Sequence, residues 1–530
     1  MGKNNSDEGR TPKIRRYQNR RYKDKDAAAV LVELLQPGAW IAPAHARWVP
    51  VIEALLEAFL RHFEPALLAR LLDHQRALPP SASAAARAAR MAGELTALHK
   101  LCQMLARNPR LPAEARAALA PLESLPPEAI PDTAVSAAVA LALQGRPDFE
   151  LDPENPKVAR GSVADIFRFR DRTSEGNAVA FKTVRADSLL RIQKEAAILM
   201  RMAKDCPAIG AVAGPSFAAA LAEALRDAAG ALLREIDFAA EAANLRDARA
   251  FYKFNRRIRV PATIGIPVDR GIFMEFVEGV PLLDAPLDYE SRRDAARLVF
   301  RRLILDPLFS GLSESIFHAD PHAGNLMMQT QKHAPLTLVP LDWSQAGRLS
   351  APLRHALIAL CLYCVTGNEP SPEVLMRLLE SDRKSIRIAL PQGTGDPLHA
   401  AFETVQQLAL QGYPVPINLL LLRKSFLTLD GITRQLDPDF NVWLETLAYA
   451  SGVFASEAVV RTWSILFPWL DRPDFYRSGL PTRTLAAHFA GTIRNLCFAN
   501  AKQILTRFEN PCDVPLRSAG ITQKRRKEKT

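Results

Sequence analysis

The sequence predicts an α+β chain with a helical leader, a small β-containing lobe and a larger, mostly helical lobe. Three observations predict it. Residues 27–145 carry apolar residues at helical spacing, with Pro-containing breaks between most of the segments. The texture then switches to short runs rich in Val, Ile and Phe around a polar turn. From Ser291 onward helical spacing returns and dominates.

In the leader, helices are expected at Ala27–Leu35, Pro50–Leu72, Ala84–Leu105 and Pro112–Leu119. Residues 146–156 (RPDFELDPENP) are polar and Pro-bearing, and read as a linker and boundary. Ser162–Arg168 and Ala178–Val184 read as a hairpin across DRTSEGN. Helical text follows from about Leu189 to Asp247, with a break near Gly210–Pro215. Arg259–Ile266 and Gly271–Val277 read as strands, as does a short pair near Leu326–Met328 and Leu336–Leu341. The domain plan is a basic tail at 1–26, a helical extension at 27–145, a β-containing lobe at 146–280, a helical lobe at 281–510 and a second basic tail at 511–530.

Composition narrows the function classes. The 530 residues are 48% hydrophobic and 24% charged, which is ordinary for globular chains. No apolar run approaches the ~18 residues a spanning helix needs. The best stretch, His355–Val365, is too short, and the N-terminal residues carry no apolar signal segment. A cytoplasmic protein is expected. Six cysteines suit a reducing compartment rather than a disulfide scaffold. Cys361 and Cys364 form a C-x-x-C, but within the apolar stretch LIALCLYCV, so a buried helix is the expectation there.

The net charge of +11 is concentrated at the ends. Residues 1–25 hold nine basic and three acidic side chains (+6), and residues 523–530 hold five and one (+4). The intervening chain is nearly neutral, so no basic nucleic-acid face and no specific nucleic-acid partner are expected. Basic tails of this kind can attract an anionic membrane surface, which allows peripheral attachment.

The most specific stretch is His318-Ala319-Asp320-Pro321-His322-Ala323-Gly324-Asn325, followed by an apolar strand and then Leu341-Asp342-Trp343-Ser344. A D-x-x-x-x-N loop, a strand and a further Asp is the spacing of a phosphoryl-transfer site. Asp320 would orient or deprotonate the acceptor. Asn325 and Asp342 would offer the hard oxygen ligands that Mg²⁺ prefers. A zinc reading of His318 and His322 needs a helix, and Pro321 with Gly324 argues for a loop. Upstream, Val179-Ala180-Phe181-Lys182 ends a strand on a lysine that could reach nucleotide phosphates. Its matching acid is sought in Glu235-Ile236-Asp237-Phe238-Ala239-Ala240-Glu241-Ala242-Ala243-Asn244. There Leu232, Ile236, Ala239 and Ala243 are expected to pack as one stripe, with Asp237, Glu241 and Asn244 on another face. Glu241 is the expected partner of Lys182. Before the first strand, Ala159, Gly161, Ser162, Val163 and Ala164 make a small-residue stretch that would let backbone amides approach phosphate.

Taken in order, HADPHAGN, the V-A-F-K strand, E-I-D-F-A-A-E-A-A-N and Met274-Glu275-Phe276-Val277-Glu278-Gly279 resemble the UbiB/AarF family of atypical kinases, the aarF-domain-containing kinases. The resemblance covers roughly residues 85–350. It implies a bilobal protein-kinase-like fold with an N-terminal helical extension, ATP or ADP with Mg²⁺ as cofactors, and ATPase or small-molecule kinase activity supporting ubiquinone or isoprenoid-lipid metabolism. An isoprenoid lipid or quinone precursor is then an implied partner beside the nucleotide. By the resemblance Lys182 pairs with Glu241 and meets phosphates, Asp320 is the catalytic-loop aspartate, and Asn325 and Asp342 hold metal. Glu275 to Val277 form a hinge whose main chain meets adenine. Glu235 and Asp237 match the family's E-x-D pair, and Lys100-Leu101-Cys102-Gln103 is similar to its K-x-G-Q motif, with Lys100 approaching Glu235 and Gln103 completing a regulatory element. Cys102 in place of the motif's glycine, Gly161 in place of a common alanine, and Trp343-Ser344 after Asp342 depart from the pattern. A catalytically weak pseudokinase that scaffolds partners or holds lipid, and a phosphotransferase of the aminoglycoside or choline type, are the alternative readings.

Overall fold

The computed structural model describes residues 26–40, 49–92, 95, 132–160, 164–173, 177–184, 186–213, 222, 225–226, 228–230, 232–268, 270–330, 335–366, 372–379, 396–411, 413–488 and 490. The chain is α+β, and it divides into two compact units. One comprises residues up to Gly279 together with Val339–Gln345; the other comprises Val280–Leu338 and residues from Ala346 onward.

The first unit begins with helices α1 (Ala27–Leu35), α2 (Val49–Leu60), α3 (Pro65–Arg76) and α4 (Ala84–Ala92). The expected single helix over 50–72 is two, because Pro65 cannot continue a helix from the preceding turn and instead opens α3 at its first position. Leu31 and Leu35 of α1 and Leu68 and Leu71 of α3 are buried, as the helical spacing requires. Helix α5 (Asp132–Gly145) leads into a five-stranded antiparallel sheet of β1 (Phe149–Leu151), β2 (Lys157–Arg160), β3 (Ala164–Asp171), β4 (Asn177–Val184) and β5 (Gly271–Glu275). The order is β1-β3-β4-β5, with β2 also paired to β3. Alternation places Phe167 and Phe169 of β3, Val179 and Phe181 of β4 and Phe273 of β5 in one buried cluster against Ala138 and Ala142 of α5. The Phe181 and Phe273 rings stack with centroids 4.3 Å apart.

Three local expectations change here. Part of the polar segment 146–156 forms β1, since Phe149 is a core residue of the sheet. Residues 259–266 are not a strand. They run extended beside β5, with Ile264 N donating to Phe273 O at 2.9 Å and Glu275 N donating to Ala262 O at 2.8 Å. Pro261 has no N–H to give a continuous ladder. The helical text of 189–247 becomes α6 (Ala186–Ala213) and, among later residues, α7 (Phe238–Phe251).

The second unit opens with β6 (Val280–Pro281), which pairs with β8 (Leu326–Gln329), and α8 (Tyr289–Phe300). Strand β7 (Glu314–His318) pairs antiparallel with β10 (Ala346–Ser350), a sheet the sequence reading does not contain. The intervening strand β9 (Thr337–Pro340) carries the chain back to the first unit. Helices α9 (Ala351–Thr366), α10 (Pro372–Leu378), α11 (Pro397–Leu410), α12 (Ile417–Leu436), α13 (Val442–Ser456) and α14 (Ala458–Leu466) complete it. The core forms around Phe426 of α12, whose ring lies 6.2 Å from Phe300 and 4.8 Å from Phe402. Buried Arg354 of α9 donates to the carbonyls of Leu349 at 2.7 Å and Ser310 at 3.0 Å, and to that of Leu312. Those bonds satisfy a loop that would otherwise bury unpaired carbonyls. Cys361 and Cys364 lie on α9 as free thiols. No helix among the described residues is long and apolar enough to cross a membrane.

Candidate functional site

Strand β4 turns Phe181 into the sheet's aromatic core and Lys182, one residue on, to the opposite face, as strand alternation demands. There the Lys182 ammonium donates to both oxygens of Glu241, at 2.8 and 3.0 Å, and to Asp342 Oδ1 at 3.0 Å. All three residues belong to the first unit.

Glu241 sits in the first turn of α7. Its helix starts where it does because Asp237 is the N-cap, accepting from Ala240 N at 2.9 Å. The side chain of Asp237 is therefore a cap, not a member of a helical i, i+4 acidic pair. The chain turns at Glu235 and Ile236, so the expected stripe through Leu232, Ile236, Ala239 and Ala243 does not form, and Ala239 is exposed. The buried face is instead Phe238, Glu241, Ala242, Leu245 and Ala248. One turn beyond Glu241, Asn244 Nδ2 donates to Trp343 O at 2.9 Å. The i, i+3 spacing thus lets one helix face hold both Lys182 and the backbone beside Asp342.

Asp342 has φ +54°, in the left-handed region, which Asp tolerates better than bulky residues. Neighbouring Trp343 is fully buried and donates Nε1–H to Pro340 O at 3.1 Å. Ser344 N donates to Asp342 Oδ1 at 3.2 Å. The Trp-Ser pair is therefore an anchor: the indole locks the turn and the serine amide steadies the carboxylate. The Asp342 side chain is 37% exposed.

The charges follow from the geometry. Glu241 is 1% exposed, and burial pushes its carboxyl up to about 7, with the Lys182 ammonium opposing and the Asp342 carboxylate adding to the rise. Burial would lower the Lys182 ammonium, but Asp342 and Glu241 overcome it and hold it raised. Burial acts to raise Asp342, and Lys182 with Ser344 overcome it and hold the carboxyl well below the usual carboxylate range. Asp342 thus stays anionic, and Lys182 stays cationic between two acids.

The other expected residues of the first unit are scattered in kind. Ala159 lies in β2 opposite Ile166, and Ala164 starts β3 opposite Val184. Gly161, Ser162 and Val163 lie outside the described residues, as do Lys100, Cys102 and Gln103. Glu235 occupies the turn before α7, with its amide donating to Leu232 O at 3.2 Å. Glu275 ends β5, and its carboxylate meets Arg259 and accepts from Ala262 N at 3.2 Å. Val277 is buried just beyond it.

In the second unit β7 ends at His318 and opens the loop to Asn325. Asp320 N donates to His318 Nδ1 at 3.2 Å. His322 N and Asn325 Nδ2 donate to Asp320 O at 2.9 and 3.1 Å. A 3₁₀ turn at Ala323–Asn325 closes the loop, and no described residue donates to Asn325 Oδ1. The Asp320 carboxylate accepts from Lys424 Nζ at 2.8 Å, and the next residue, Ser425, donates through Oγ to His318 O at 2.9 Å. Sequence reasoning missed both. The available signal was Ser425 itself, a polar residue fully buried within the apolar stripe Leu419, Leu422, Phe426 and Leu429 of α12.

Each unit separately carries a hard oxygen donor of the kind Mg²⁺ prefers, the Asp342 carboxylate in the first and Asn325 Oδ1 in the second. Among the described residues no cluster of three or more His, Cys, Asp or Glu could hold a metal by itself.

Comparison with known proteins sets this chemistry in context. Residues 149–372 match the family model of the ABC1 atypical kinase-like domain. A stretch of 323 residues is 27% identical to a protein named "Probable protein kinase UbiB" from Pseudomonas putida (strain W619), covering 56% of this chain and 56% of that protein. A protein of the same name from Xanthomonas campestris pv. campestris (strain 8004) is 28% identical over 247 residues, 42% of this chain and 43% of the other. The chain thus spans only about half the length of the curated relatives it matches. Among solved structures, the erythromycin complex of Rv3197 from Mycobacterium tuberculosis aligns at 16% identity with a TM-score of 0.38, over 59% of this chain and 81% of that one. The Rio2 kinase–ADP/Mg²⁺–phosphoaspartate complex from Chaetomium thermophilum aligns at 14% identity with a TM-score of 0.25, over 66% and 95%.

Proposed function

We propose that this chain, whose residues 149–372 match the family model of the ABC1 atypical kinase-like domain, binds ATP or ADP with Mg²⁺ and acts as an ATPase or small-molecule kinase. The observation that carries the reading is the lysine of β4 held between a helix glutamate and an anionic, half-exposed aspartate. A phosphate chain can draw such an ammonium away from Asp342 while Glu241 keeps it in place. Lys182 then meets the phosphates, and backbone amides of the stretch from Ala159 to Ala164 approach them. Asp342 and Asn325 would offer oxygen ligands to the metal, which neutralises phosphate charge when bound. Asp320 orients the acceptor hydroxyl and receives its proton. The main chain from Glu275 to Val277 meets the adenine.

The role belongs to ubiquinone or isoprenoid-lipid metabolism in this reading, and its support is the resemblance of HADPHAGN and the V-A-F-K strand to the UbiB/AarF family. Lys100 and Gln103 with Glu235 form a regulatory element of the helical extension at 27–145, and the basic ends favour a peripheral membrane position. The test is a thermal shift with Mg–ADP. Wild type should gain stability and Asp342→Asn should lose that gain. No shift in wild type, or the same shift in Asp342→Asn, would sink the reading.

A further inference from the structure

The loop His318–Asn325 contains no lysine or arginine, yet its aspartate is paired with a cation. That cation, Lys424, comes from α12, 104 residues later in sequence, and lies 2.8 Å from Asp320 Oδ1. The neighbouring Ser425 Oγ holds His318 O at 2.9 Å, so two consecutive residues of one helix grip both sides of Ala319. Ser425 is fully buried, whereas the Lys424 side chain is 40% exposed. The serine holds the loop from within the core, and the lysine reaches it from a partly exposed position.

We propose that Lys424 is a catalytic residue that neutralises the transferring phosphoryl group; this rests on the reading of Asp320 as the acceptor-binding carboxylate. An acceptor oxygen hydrogen-bonded to Asp320 lies about 2.7 Å from it, and an attacked phosphorus about 3–3.5 Å further on. The Lys424 ammonium, already against the carboxylate, would then be the cation next to the phosphoryl oxygens. In the step, the acceptor oxygen forms a bond to the γ-phosphorus and the bond from that phosphorus to the β-bridging oxygen breaks. ADP leaves with the electron pair. The acceptor proton passes to Asp320. As Asp320 loses its negative charge it releases its hold on the ammonium, just as charge spreads over the equatorial phosphoryl oxygens. The cation thus follows the negative charge from carboxylate to phosphoryl group.

The experiment compares wild type with Lys424→Met and Lys424→Arg in the full chain, by Mg–ATP turnover and by binding of ADP with and without aluminium fluoride, a planar mimic of the transferring group. Lys424→Met should lower kcat by about 10²–10³-fold, leave KM and the Kd for Mg–ADP within about twofold of wild type, and lose the tightening caused by aluminium fluoride. Lys424→Arg should restore at least part of both. A Lys424→Met enzyme with wild-type kcat, or one that loses Mg–ADP binding and stability together without rescue by arginine, overturns the proposal. Should wild type bind Mg–ADP without turnover, the fluoride complex alone decides, and equal tightening in wild type and Lys424→Met overturns it. Failure of wild type to bind Mg–ADP at all instead removes the nucleotide reading, and Lys424 with it.

Discussion

Gly347 of β10 faces Phe317 of β7 across the two-stranded sheet, and Phe317 immediately precedes the loop that carries Asp320. A Cβ built on Gly347 would lie 2.0 Å from Phe317 Cζ and 2.3 Å from Cε1. Carbon atoms make comfortable contact near 3.5–4.0 Å, so in Gly347→Ala the ring must retreat by roughly 1.5 Å. Phe317 is fully buried, so it has little space to retreat into. Overpacking of this kind costs about 1–3 kcal/mol. The reduced freedom of the unfolded chain on replacing glycine returns about 0.4–1 kcal/mol, leaving a net loss centred on about 1 kcal/mol and no more than about 2.6 kcal/mol. The displaced ring also drags His318, whose Nδ1 receives Asp320 N, so Mg–ATP turnover should fall beyond what stability alone dictates. The assay is a double-mutant cycle by urea unfolding. Phe317→Leu alone should cost about 1 kcal/mol, and the smaller side chain should accommodate the added methyl group in Gly347→Ala/Phe317→Leu. A coupling of at least about 1 kcal/mol in the favourable direction is expected. Additivity within about 0.5 kcal/mol would show that the ring and the glycine do not constrain one another.

Three further outcomes follow from side chains already described or packed nearby. Lys182→Met strands the buried Glu241 and should cost about 3–5 kcal/mol by urea unfolding, whereas Lys182→Met/Glu241→Leu should recover most of it; an equally destabilised double variant would contradict the pairing. His399 lies 3.0 Å from Asp396 and 3.3 Å from Asp430, and its hydrogen bonds to them raise its imidazole to about 9 despite burial. The folded-state value is above the unfolded 6.5, so its contribution is complete below pH 6.5 and is lost as pH rises through about 9. With the side chain 27% exposed, about 1–2 kcal/mol should separate wild type from His399→Gln at pH 6 and vanish near pH 10, read from urea midpoints; a gap that stays constant with pH would refute the assignment. Trp343→Ala should cost about 3–5 kcal/mol, since a fully buried indole and its bond to Pro340 are both lost; a loss under about 1 kcal/mol would mean that Trp343 does not anchor the Asp342 turn.

The Lys182–Glu241 contact was legible because two local patterns, a V-A-x-K strand and a helix with an acid at the right turn, each announce themselves in a few residues. Asp237 was misread for a related reason. An aspartate that caps a helix and one that lies within it have the same sequence periodicity, and only the backbone turn at Glu235 and Ile236 separates them. Residues 259–266 look like a strand by composition, yet Pro261 denies them a ladder and they bond to β5 only at intervals. Strands β7 and β10 were invisible because neither ESIFH nor AGRLS is a strong strand by itself. Their stability comes from each other, across an interval of chain that no local pattern spans.

What the sequence determined by itself is the chemistry on offer: a lysine at a strand end, an acid on a helix, an aspartate–asparagine loop and a later aspartate, each recognisable from neighbours within a turn or two. Beyond the Lys182–Glu241 pair, tertiary structure decided which charges meet. It brought Asp342 against Lys182 from 160 positions away, and Lys424 against Asp320 from 104. Such pairings depend on how helices and strands pack. Burial makes an unmatched charge costly, so the fold holds Glu241 and Asp320 against cations from distant parts of the chain.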